Sequence, residues 1–402
     1  MSFTGMAKDF AAPEATRRVQ MRSLMIGVAA LAVSIAGGTL QRDATQFFRS
    51  YLLAFALWVG ITLGCLAILM LQYLTGGRWA LLIRRPLEAA SRLLPLMALL
   101  FVPLLFALPR LYEWAVPEAV EHDPLLRHKS AYLDPQWFIA RAALYFAVWI
   151  VVAFLLNRWS AEQDREFDLF RARRFRNLSG PGLVLWGLTV TFAAIDWLMS
   201  LDPHWYSSIY GMLIMGGQCL GAIAFMIAIL VLLAKYRPMS ELVQVDQLHD
   251  LGKLMLAFVM IWAYLSFSQF LIIWSANLPE EIPWYLRRVQ GGWQYLWVLI
   301  IVFHFVLPFL LLLSRDLKRA ARPLAALASL VVVMRFFDLL MLIAPNPLPG
   351  REQGVGFNWL DIGLTLGIGG IWMAAFFWQL RSRPIVPLRD PLLEEMLAHA
   401  RE

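Results

Sequence analysis

Cysteine is almost missing from this chain. Its two residues, Cys65 and Cys219, both fall inside apolar runs, so neither a disulfide framework nor an iron–sulfur cluster is supported. Histidine is nearly as scarce. Of six, only His304 lies within an apolar run, while His122, His128, His204, His249 and His399 lie outside. A b-type haem relay takes pairs of helix-borne histidines as axial ligands, so a single such residue excludes a haem pair here. No Walker A stretch and no dinucleotide fingerprint occurs, which argues against an ATP-driven subunit. Charge is thin as well, at 16% of 402 residues.

What is present is hydrocarbon. Hydrophobic residues make up 60% of the chain and the mean hydropathy is +0.62. The apolar runs are long enough to cross a bilayer core of roughly 30 Å. Ten spans are predicted, at about 22–40, 51–74, 92–109, 136–157, 180–201, 207–234, 251–277, 291–313, 322–344 and 358–380. The expected fold is therefore all-α and integral to a membrane. The third span is short and carries Pro95 and Pro103. The first follows Arg17, Arg18 and Arg22 but has no clear small-residue cleavage site, so it reads as a span rather than a signal peptide.

A net charge of +7 does not require a nucleic-acid partner, because membrane proteins collect Lys and Arg in cytoplasmic loops. With the N-terminus inside, 25 of the 35 Lys and Arg residues fall on the inner side. Nine fall outside, and Arg335 alone sits in the interior of a span, away from its ends. Both termini are expected in the cytoplasm. The outer loop 110–135, with five acids and Pro117, Pro124 and Pro135, suits a surface that meets another subunit. The inner loop 158–179 alternates Trp159, Phe167, Phe170 and Phe175 with arginines. It reads either as an interfacial helix against anionic head groups or as a plain positive-inside loop.

One short frame occurs twice. DWLMSLDP (Asp196 to Pro203) closes the fifth span, and DLLMLIAP (Asp338 to Pro345) closes the ninth. Four spans separate them and both run outward, so the pattern predicts a parallel repeat of two four-helix bundles. The bundles are expected at 51–201 and 202–344. Residues 1–50 (tail and first span) flank them on one side, and 345–402 (tenth span and tail) on the other.

Ionisable groups inside a span cost about 2.5–3.5 kcal/mol on insertion scales, so they face protein or water. Arg335 and Asp338 stand three apart on one face and can pair. The pair is either a packing salt bridge, a proton relay or a polar site for a quinone head group. Asp196 has no basic neighbour in its own segment, so it is either protonated or borrows a partner from another helix. Unpaired, it would be the better proton carrier. His304 reads as a packing residue before a ligand. SFSQFLIIWSANLPEEIPWYLRR (Ser266 to Arg288) is densely polar. Ser266, Gln269 and Ser275 fall near one stripe, with Asn277, Glu280 and Glu281 at the outer mouth. This is either interhelical hydrogen bonding or a polar track to the surface. Trp205, Trp284, Tyr285 and Trp293 are expected to form an interfacial aromatic belt. Asn358 and Asp361 are expected to cap the tenth span.

Three segments carry a family resemblance: LTGGRWALLIRRPLEAA (74–90), FAAIDWLMSLDPHWYSSIYGM (192–212) and SFSQFLIIWSANLPEEIPWY (266–285). Over nearly its whole length the chain resembles the F subunit of alternative complex III. That family is similar to the complex's C subunit and to the membrane anchors of the polysulfide and nitrite reductase type. The resemblance implies a multi-pass subunit of a bacterial inner-membrane complex. Such a complex oxidises quinol, often menaquinol, and reduces a periplasmic cytochrome c or blue-copper protein. It implies partners: a homologous membrane subunit, an iron–sulfur subunit and c-type cytochrome subunits, which carry the haem c and iron–sulfur centres. Membrane lipid surrounds the chain, and catalysis by this chain alone is not expected. The candidate proton path or quinone pocket then falls to Asp196, Arg335 and Asp338, with Gln269, His204, Glu280 and Glu281 near the outer exit and His304 beside them. Two other readings stand: a secondary transporter with Asp196, Arg335 and Asp338 along its substrate pathway, and a purely structural membrane scaffold.

Overall fold

The computed structural model describes residues 10–41, 44–165, 169–349, 354, 356–390 and 392–393. Among them there are ten helices long and apolar enough to cross a membrane and no strand. They are α1 (Ala15–Gln41), α2 (Ala44–Thr75), α3 (Arg78–Leu105), α4 (Pro135–Gln163), α5 (Leu169–Trp197), α6 (Tyr210–Leu233), α7 (Val245–Ala276), α8 (Trp293–Leu313), α9 (Ala321–Ile343) and α10 (Trp359–Arg381). The class expected from the apolar runs is the class observed.

Helices α2 to α5 form one ring, each packing on the next and α5 returning to α2. Helices α6 to α9 form a second ring in the same order. The rings meet through α2 against α6, flanked by α5 on α6 and α2 on α9. Helices α2 and α6 are accordingly the most buried of the ten. Helix α10 packs on α2 and carries α1 on its outer face. At the closest point of that pair Gly27 faces Gly370, where a Cβ on Gly370 would stand 2.4 Å from the Gly27 Cα. Small residues at such crossings let backbones approach where lipid supplies no hydrophobic drive. Phe10 and Ile385 share a backbone hydrogen bond of 2.9 Å, so both ends of the described chain emerge at one end of the bundle, called inner below.

Two spans depart from the expected form. The third begins earlier than 92. It is assembled from a 3₁₀ turn (Arg78–Ile83), a helix (Arg84–Ser91) and a second helix (Leu94–Leu105). Charges at Arg84, Arg85 and Glu88 mimic a loop in the sequence, but all three are buried. Arg85 meets Glu88 and Asp164, and Arg84 meets Asp390 at 2.6 Å. In α8 a π-helical turn, Ile301–Val306, interrupts the α-helix. Pro308 has no N–H to offer the His304 carbonyl, and widening the turn is one way a helix absorbs that loss.

The inner segment 158–179 is not a separate interfacial helix. Helix α4 runs on to Gln163 and α5 starts at Leu169, so most of the segment extends two spans. Phe175 is buried, stacked on Tyr73 at 4.3 Å. The side chains of Phe167 and Phe170 lie outside the described residues.

The seam between the rings is tight enough to test. A Cβ on Gly64 of α2 would stand 2.2 Å from the Gln218 carbonyl oxygen of α6. Gly64→Ala is expected to lower apparent stability by about 1–3 kcal/mol, the usual cost of overpacking. Gly187→Ala, whose Cβ would meet only the Met215 sulfur at 3.9 Å, is expected to have no such effect. Thermal unfolding of the two variants in one detergent checks the contrast.

Candidate functional site

At the outer half of the bundle, buried polar groups gather in three linked places. Asp196 on α5 is fully buried. Arg141 of α4 grips it with two parallel bonds, Nε to Oδ2 at 2.9 Å and Nη2 to Oδ1 at 3.0 Å. The Tyr145 hydroxyl, one turn further along α4, adds a third at 2.8 Å. The guanidinium also donates to the Tyr132 carbonyl and stacks over the Tyr132 ring, 3.9 Å from its centroid. A planar fork matched to a carboxylate is among the strongest pairings available to a buried charge. Asp196 therefore borrows its partner from another helix. The proton-carrier reading, which rested on an unpaired carboxylate, loses that support. Arg335 is likewise not alone among span arginines, since Arg141 lies within α4 and Arg49 within α2.

Asp338 on α9 forms the second place. Arg335 pairs with it on the same helix, and the Trp262 indole of α7 donates to it at 3.2 Å. The Arg335 guanidinium lies flat on α6, where a Cβ on Gly217 would come within 2.1 Å of it. His304, in the π turn of α8, is fully buried and sets its ring edge-on to Trp262, with centroids 4.4 Å apart. Neither imidazole nitrogen has a hydrogen-bond partner among the described residues, so His304 contributes packing. Beside Asp338 is a chamber of about 20 Å³, lined by Trp262, Ser266, Gln269, Trp284 and Tyr285. A space of that size holds one water. Gln269 accepts from the Ser207 hydroxyl at 2.9 Å and donates to the Tyr285 hydroxyl at 3.4 Å. The polar stripe expected in α7 thus exists for Ser266 and Gln269, but Ser275 is exposed and apart from it.

The third place is an outer cleft of about 440 Å³. His204, Glu280 and Glu281 line it with Lys129, Tyr132 and Asp202. His204 Nε2 lies 2.6 Å from the Asp123 carboxylate. Lys129 donates to the Pro203 carbonyl at 2.6 Å. Burial lowers its pKa, against the opposing pull of Asp202 and Asp123. Cleft and chamber share a wall in which Trp205 on the cleft side stacks on Trp284 at 4.5 Å. These residues are not an interfacial belt. Trp205, Trp284 and Tyr285 are buried, because the short helix Ile282–Arg288 folds inward over the bundle.

That short helix carries the clearest omission of the sequence reading. Arg287 pairs with Asp202 at the tip of α5. Arg288 is fully buried and donates to the carbonyls of Met341 and Leu342 and to Asn346 Oδ1, at 2.7–3.0 Å. It also sits 3.3 Å over the Trp284 ring. Burial presses its pKa down to about 9. Arg49 adds a bond of 3.3 Å to the Ala344 carbonyl and pairs with Asp361 at 3.3 Å. Orphan carbonyls at a helix C-terminus favour such cations. Asn358 and Asp361 form the expected capping box on α10.

Among the described residues no group of three His, Cys, Asp or Glu is placed to hold a metal ion. No family model matches the chain, and no curated protein matches it.

The grip on Asp196 gives a direct test. Arg141→Met leaves a carboxylate buried without its cation, and apparent stability is expected to fall by about 3–5 kcal/mol. Adding Asp196→Leu to the same chain is expected to restore most of the loss. Unfolding curves of the single and double variants decide it.

Proposed function

We propose that the chain is a membrane subunit of a bacterial quinol-oxidising electron-transfer complex, the F-type subunit of alternative complex III, and that it gives protons a way out on the outer side. The observation that carries this reading is the polar line from Asp338 through the chamber to Gln269 and on to Ser207. It leads from an ionisable pair inside the bundle toward the outer surface. A buried carboxylate is costly, and one placed against a water-sized space beside a hydroxyl-ended line suits proton transfer as well as packing.

In this reading the outer cleft meets the quinol head group. Its volume is within the range of small-molecule pockets. Apolar walls from Leu125, Ile195 and Leu278 surround a few polar groups, as such sites require. Quinol supplies two electrons and two protons when it is oxidised. Menaquinol is the form the resemblance implies, and the electrons leave through haem c and iron–sulfur centres of partner subunits. His204, held by Asp123, and the nearby Glu281 would orient the hydroxyls and take up protons at the imidazole and carboxylate oxygen.

Two measurements test the proposal. Purification in mild detergent is expected to bring c-type haem and iron–sulfur partners with the chain; recovery as a lone protein would remove the complex from consideration. In the assembled complex, Asp338→Asn is expected to slow quinol turnover and outward proton release by roughly a hundredfold, the scale of a lost acid–base group. An assembled variant with normal turnover and proton release would reduce Asp338 to scaffold.

A further inference from the structure

At the inner end, where α3, α4 and the segment after α10 meet, the charges divide into two groups. The first is balanced. Arg85 donates to Glu88 at 2.6 Å and to Asp164 at 2.5 Å. Ser160 donates to Glu88 at 2.6 Å. Arg383 stands 3.9 Å from Glu88 and donates to the Asn157 carbonyl at 2.8 Å. Two guanidiniums thus face two carboxylates.

The second group is not balanced. A cleft of about 420 Å³ opens beside the network, lined by four arginines (Arg92, Arg158, Arg165 and Arg383) and one carboxylate, Glu162, with Asn157 and Phe154. Arg158 is paired with Glu162 at 3.2 Å. Arg92 donates to neutral groups, the Ser382 hydroxyl at 3.1 Å and the Gln379 carbonyl at 3.0 Å, and its buried Nε has no partner among the described residues. Neither Arg92 nor Arg165 is within ion-pair distance of a described carboxylate. Among the described residues, two positive charges are thus left facing one concave space. Burial, opposed in part by Glu88, lowers the Arg383 pKa from its ordinary value.

The apolar surroundings decide what kind of anion fits. Phe154 at the rim is 59% exposed, and Val151 and Leu144 continue outward along α4 at 54% and 58%. A phosphate in the cleft would have hydrocarbon beside it on α4. Guanidinium forks match phosphate oxygens, and basic pockets between helices at the cytoplasmic side receive anionic head groups.

We infer that this cleft binds the phosphate of an anionic phospholipid whose acyl chains lie along the exposed face of α4. Inorganic phosphate shares the head-group chemistry but has no use for Phe154, Val151 and Leu144. The site stands independently of the proposed electron-transfer role.

Native mass spectrometry of the full-length chain, taken from micelles doped with phosphatidylglycerol or phosphatidylcholine, tests it. Wild type is expected to retain phosphatidylglycerol in preference to phosphatidylcholine. Arg92→Gln and Arg165→Gln are each expected to weaken that retention about tenfold, the scale of one lost charge-assisted contact. Arg17→Gln, which removes an exposed inner-end charge on α1, is expected to change nothing. Inorganic phosphate at millimolar concentration is expected not to displace the lipid. Equal retention in wild type and both cleft variants would overturn the inference. So would an equal loss in Arg17→Gln, which would mean net charge alone, or displacement by inorganic phosphate, which would mean a free-anion site. Arg165 is exposed and outside the buried network, so its variant remains informative if Arg92→Gln fails to fold.

Discussion

An ion placed in hydrocarbon has to be answered by a group within bonding reach, and in this protein the answer usually comes from a different helix. Arg141 of α4 answers Asp196 of α5, and Arg49 of α2 answers Asp361 of α10. Arg85 of α3 answers Asp164 beyond α4. Each such pair fixes two helices at a defined height and rotation, which apolar packing alone does loosely. The adjacent Arg287 and Arg288 extend this to the two rings. One closes on Asp202 at the end of α5, and the other on the carbonyls that end α9. A single turn of helix thereby ties together the two segments whose likeness is visible in the sequence.

The candidate site inherits its shape from that tie. Because Ile282–Arg288 is drawn inward, Trp284 reaches Trp205 and the stacked pair separates the outer cleft from the chamber beside Asp338. Tyr285, on the same turn and buried, closes the chamber against Gln269. Burial raises the Tyr285 pKa to about 12, which keeps its hydroxyl a proton-bearing partner rather than an anion. The two aspartates that look equivalent in sequence thus occupy different surroundings. Asp196 is locked by a bidentate arginine and a tyrosine, while Asp338 borders a chamber the size of one water.

What could be read from the sequence was whatever leaves a mark in composition or periodicity. Ten apolar runs mark ten helices, and the Arg335–Asp338 spacing marks a pair on one helix face. Partners across helices leave no such mark. Arg141 sits where the fourth run meets an outer loop, so it passes for an ordinary flanking charge, although Tyr145 one turn on could have signalled a shared polar face. Arg288 and Arg49 bond to backbone carbonyls, and every residue has one of those. Arg84, Arg85 and Glu88 misled in the opposite sense. Their charge looks like solvent, and only the return of Asp164, Arg383 and Asp390 from far along the chain shows why they can be buried.

The backbone bond between Phe10 and Ile385 has a topological meaning. Helices α1 and α10 belong to neither ring, yet they pack on each other, and the segments leading from them rejoin at the inner end. The described polypeptide thus returns, after ten spans, to within bonding distance of the segment from which it set out. Sliding α1 along α10 would have to break that bond, so the two flanking helices are held in register at the inner end as well as at the Gly27–Gly370 crossing.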